Sequence, residues 1–92
     1  MSNSNARMNA IIKSLNPPKV KNALNKVERL LGQSLQSLFA YENALKNANN
    51  AKIRLAKSKM HDTQRRYENA RKELRTAQNQ AYNNTRAKFG NW

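Results

Sequence analysis

The chain has no cysteine, which excludes disulfides and thiolate metal sites and leaves the redox compartment open. Glycine and proline occur twice each, and neither falls between Gln33 and Phe89. Two separated glycines cannot build a phosphate-cradling loop. No run approaches the ~20 apolar residues of a membrane span. The opening residues, Met1 to Arg7, lack the apolar core of a secretory signal. We therefore expect an intracellular product, or one packaged into a particle assembled inside a cell.

Large apolar side chains are also scarce. Leu, Ile, Val and Phe make up sixteen of 92 residues, and thirteen of the fourteen Leu, Ile and Val lie between Ile11 and Leu55; only Leu74 lies beyond. Combined with a net charge of +13, this is close to the composition of a disordered chain. Twelve alanines and the periodic placement of the aliphatics argue for helix instead. The expectation is an all-α chain with a folded N-terminal half. Its basic C-terminal helix would gain order through oligomerisation or binding.

Met8, Ile11, Ile12 and Leu15 form one stripe of a short amphipathic helix over residues 3–15, with Ser2 or Ser4 as its cap. Asn16, Pro17 and Pro18 close it, and Asn16 with Pro17 suits the start of the next helix. From there Val20, Leu24, Val27, Leu31, Ser34, Leu38, Tyr41 and Leu45 trace a heptad seam, widened by Leu30, Leu35 and Phe39. This predicts a Leu-rich helix over residues 17–46, continuous through Gly32 at a cost of about 1 kcal/mol. A width beyond two heptad positions fits contact with two neighbours, so Leu24, Val27, Leu31, Leu35, Leu38, Phe39 and Leu45 are the expected packing and oligomer interface.

A second seam runs Ile53, Ala56, Met60, Thr63, Tyr67, Ala70, Leu74, Ala77 and Ala81, in a basic helix over residues 51–89. It is out of phase with the first by one residue, with an Asn-rich junction at 46–50. Either one long coiled-coil rod absorbs the shift, or the chain turns at the asparagines, which tolerate the left-handed conformation. Reversal around Asn49 and Asn50 would bring Glu42 to Lys57 and Glu28 to Arg71, together with Leu38–Thr63, Tyr41–Met60 and Val27–Leu74. A parallel pairing of two second seams sets Lys52 against Lys57 and Arg66 against Arg71. The antiparallel helical hairpin is therefore preferred over the rod, as part of a homo-oligomer. Tyr82, Phe89 and Trp92 either dock back on the bundle or, for Phe89 and Trp92 in the tail, anchor a partner.

Candidate chemistry is thin. His61 and Asp62 are adjacent, so a helix points them in different directions. The pairs Glu42–Lys46, Asp62–Arg66 and Glu68–Lys72 have the spacing of exposed helix-stabilising ion pairs. Apart from weak combinations, neither His61 nor any acid has the histidine or carboxylate neighbour three or four residues away that a helical metal site would use. We expect no enzyme activity, no cofactor, no metal and no small-molecule substrate.

The basic set is what remains: Lys52, Arg54, Lys57, Lys59, Arg65, Arg66, Arg71, Lys72 and Arg75 fall within twenty-four residues. They spread around the helix as a sleeve, which fits phosphate contact without sequence readout. Arg65, Arg66, Tyr67 and Arg71 form the densest group; Tyr67 either stacks on a base or belongs to the seam. No helix-turn-helix, zinc-finger or basic-zipper spacing is present. The primary expectation is weakly selective nucleic-acid contact. The alternative is a structural or adaptor protein for acidic protein partners, such as a minor virus or phage particle component. Peripheral membrane binding through residues 6–15 and the basic helix ranks last.

Overall fold

The computed structural model describes residues 3–47 and 49–90 and is all-α. Three helices occur among the described residues: α1 (Asn3–Leu15), α2 (Pro18–Asn47) and α3 (Asn50–Phe89). The expected anchor Trp92 and the cap Ser2 lie outside the described residues, as does the side chain of Ser4.

The break between α1 and α2 follows from consecutive prolines. Pro18 disfavours helical backbone at Pro17 and itself becomes the first helical residue, where a missing N–H costs nothing. The Pro17 carbonyl accepts from Val20 N and Lys21 N at 3.0 and 3.1 Å. Asn16, expected to cap α2, turns the other way: its Nδ2 donates to the Ile12 carbonyl at 2.9 Å and closes α1. Helix α2 passes through Gly32 without interruption. Asn49 starts α3 in extended backbone (φ −96°, ψ 108°), not the left-handed form, and its side chain accepts from Lys52 N. Gly90 ends α3 at φ +73°, where a β-carbon would be strained, and its N–H donates to the Arg86 carbonyl.

The long helix α3 is the spine. Forty residues at 1.5 Å give ~60 Å, close to the 66 Å length of the molecule, which is 24 Å wide and 17 Å thick. Both α1 and α2 pack along it. Lys19 Nζ donates to Gln80 Oε1 at 2.8 Å and Lys26 Nζ to Glu73 Oε2 at 3.0 Å. The Ser14 and Thr85 hydroxyls bond, and Arg7 Nη2 donates to the Phe89 carbonyl. Early residues thus meet late ones, so α1 and α2 run opposite to α3.

Each residue of the second seam, Ile53 to Ala81, is buried or half-buried. Its small members are the most enclosed: Ala70 is 1% exposed, and Thr85, one turn beyond Ala81, is fully buried. The first seam is corrected by one residue at alternate positions. Leu24, Leu31, Leu38 and Leu45 are exposed, and Ala23, Leu30, Ser37 and Ala44 take their places beside α3. At three of the four a small residue wins, because a helix faced by Ala and Thr lets its neighbour come close, and bulky side chains on both sides would hold the axes apart. Val20, Ala77 and Ala81 form a buried cluster with Ala23 and Leu74 against it. Leu30 and Ala70, large and small, line one hollow between the helices together with Lys26 and Glu73. The buried hydroxyls of Ser37 and Thr63 bond back to the carbonyls of Gln33 and Met60, so neither is left unpaired.

Candidate polyanion-binding surface

The small-residue seam fixes which way the cations of α3 point. With Ala56, Thr63, Ala70 and Ala77 turned to α2, the other arcs of the helix face water. Lys52, Arg54, Lys57, Lys59, Arg65, Arg66, Arg71, Lys72 and Arg75 are all exposed. Lys52, Lys59 and Arg66 recur every seven residues on one flank, ~10.5 Å apart. On the opposite flank, Lys57 and Arg71 are separated by ~21 Å.

Acids neutralise little of this sleeve. Asp62 is half-buried; it accepts from Arg65 Nη2 at 2.8 Å and forms an ion pair with Arg66 Nε at 3.2 Å, so one carboxylate ties two guanidiniums. Each guanidinium keeps further N–H groups for another anion. Glu73 is engaged by Lys26 from α2. The expected pairs Glu28–Arg71, Glu42–Lys57, Glu42–Lys46 and Glu68–Lys72 are not among the ion pairs of the described residues. Helix α2 adds Lys19, Lys21, Lys26, Arg29 and Lys46, all exposed. An open hollow of about 560 Å³ between α2 and α3 is lined by Lys19, Lys26 and Lys72, with Glu73 and the seam alanines Ala23 and Ala77.

Tyr67 is half-buried at its seam position, and the Arg71 guanidinium stands over its ring at 5.7 Å from the centroid. That ring face is therefore occupied, and Arg71 is the more accessible of the two planar groups. Phe89 is half-buried; its carbonyl holds Arg7 and its ring lies 5.5 Å from Lys88 Nζ.

His61 is exposed, and Asp62 beside it is committed to two arginines, so the pair has no base-and-orienter geometry. Among the described residues no three His, Asp or Glu side chains converge on a metal-sized site, and no helix is long and apolar enough to cross a membrane. No family model matches the chain, and no curated protein or solved structure is detectably similar to it.

A second exposed surface lies on α2, beginning on the flank next to its seam with α3. Leu24, Leu31, Leu35, Leu38 and Leu45 are 38–48% exposed and Phe39 59%. These are six of the seven residues expected at the packing and oligomer interface; the seventh, Val27, is half-buried in the seam with α3. Matching the alanine and threonine spacing of α3 to Ala23, Ser37 and Ala44 could have separated the two faces.

Proposed function

We propose that this chain is a non-enzymatic, antiparallel helical hairpin that assembles through its leucine face and contacts nucleic acid through the α3 sleeve. The carrying observation is the exposure of nine Lys and Arg side chains along twenty-four residues of α3; among the described residues, only Arg65 and Arg66 of these nine are tied to an acid. Such a surface binds phosphates by charge and releases counterions, with little dependence on base identity.

Fluorescence anisotropy with several unrelated DNA and RNA oligonucleotides tests this. Six phosphate contacts predict a log–log salt slope near −5 and similar affinities across sequences. No binding at about 50 mM salt, or a slope near zero, overturns the reading. The exposed leucine face favours a second reading, an adaptor or structural protein. There the same cations meet an acidic protein surface, and nuclease treatment leaves the complex intact.

A further inference from the structure

The leucine row has a defined setting. Leu24, Leu31, Leu38 and Leu45 each follow a residue of the seam with α3 by one position, and Lys57 and Arg71 likewise follow Ala56 and Ala70. In an antiparallel helix pair these following positions lie on one side of the rod. The preceding positions, where Lys19–Gln80 and Lys26–Glu73 bond, lie on the other. One face of the rod therefore carries a leucine row bordered by Lys57 and Arg71 on α3. On its α2 edge stand Glu28 and Glu42, both exposed and neither in an ion pair among the described residues.

We infer that a second copy of this chain covers that face, parallel to the first about a two-fold axis along the rod. The leucine rows meet each other, and Glu28 and Glu42 of each copy face Arg71 and Lys57 of the other. This rests on the hairpin of the proposed function; it takes Lys57 and Arg71 out of the phosphate-binding set and leaves the other seven cations of that stretch for nucleic acid.

Charge selects the direction. Contacting residues on α2 and α3 sum to 99 at Lys19–Gln80 and Lys26–Glu73, so such pairs lie at nearly equal height. An axial two-fold keeps every residue level with its own counterpart, which brings Glu28 level with Arg71 and Glu42 level with Lys57 across the interface. The antiparallel alternative, centred on Leu35, sets Glu28 against Glu42 and Lys57 against Arg71. Acid would meet acid and base would meet base.

Area is sufficient. The stretch from Leu24 to Leu45 is ~32 Å long on a rod 24 Å wide. This gives roughly 750 Å² per copy, near the ~800 Å² a side of a stable interface. Two chains of +13 repel overall, so the leucines carry the affinity and the ion pairs set the direction.

The absence of native cysteine lets register be read directly. The nuclease-treated protein is predicted to have twice the 10.6 kDa chain mass by light scattering. The single variants L31C, L38C and L45C each form a self-disulfide on mild oxidation. If one of these disturbs folding, E28C mixed with R71C, both at exposed positions, also couples between chains. E28R weakens the dimer roughly tenfold, and E28R/R71E restores it.

Coupling of L31C only to L38C overturns the parallel arrangement. A mass that stays monomeric at about 100 μM, including one that changes only with anionic vesicles or an acidic protein, overturns the dimer. Intrachain closure of K26C/E73C separates the two failures. If it closes while L38C does not self-couple, the hairpin stands and the dimer is wrong; if it does not close, the hairpin itself is wrong.

Discussion

Helices α2 and α3 share one seam but use opposite materials on either side of it. Helix α2 turns Val20 and Leu30 inward with Ala23, Ser37 and Ala44, and leaves most of its leucines outside. Helix α3 has few large apolar residues, yet Ala70, Ala77, Ala81 and Thr85 are among the most deeply buried in the molecule. Burial here follows how closely two backbones approach and not how greasy a residue is. The helix rich in leucine has apolar surface left over, and the helix rich in alanine has charge left over.

Several substitutions break or sharpen that contrast. The largest effect is expected for Ala70→Glu, which puts an unpaired carboxylate at a 1% exposed position. A loss of about 3–5 kcal/mol removes most of the stability of so small a chain, read as lost helicity by circular dichroism. Ala77→Leu overpacks the close approach and costs about 1–3 kcal/mol, whereas Leu38→Ser, at an exposed position, changes stability by less than ~1 kcal/mol. Thermal melts of the two variants at low concentration compare them directly. Thr85→Val strands the Ser14 hydroxyl and costs about 1–2 kcal/mol, localised to α1. Amide exchange over residues 5–15 should accelerate while α2 is unaffected. Gly32→Ala gives the smallest change, a gain of about 0.5–1 kcal/mol, because a β-carbon there meets open space in ordinary helical backbone. A loss at that position would mean the leucine face is not open as described.

Helical content was legible from alanine content and periodicity, and the prolines marked the break between α1 and α2. The α3 stripe from Ile53 to Ala81 was legible too, since cations elsewhere on the helix leave one unbroken uncharged line. Helix α2 was harder because it has two apolar faces one residue apart. Ranking positions by hydrophobicity puts Leu24, Leu31 and Leu38 in the seam, and only the small partners on α3 reveal that Ala23, Leu30 and Ser37 fit better. The ion pairs between α2 and α3 follow the same one-residue shift. Glu28 and Glu42 lie on the side of α2 turned away from the contacts that form, whereas Lys26, one position before the seam, reaches Glu73. The sleeve itself was readable as a count of cations, but not Asp62's hold on both Arg65 and Arg66, which depends on side-chain reach.

Thiol labelling of two single-cysteine variants, Ala70→Cys and Leu38→Cys, at high dilution is the most direct test of small residues inside and leucines outside. The cysteine at 70 should react roughly a hundredfold more slowly than the one at 38, because it is reached only when the helices part. Equal rates would mean that α2 and α3 do not close on the alanine seam.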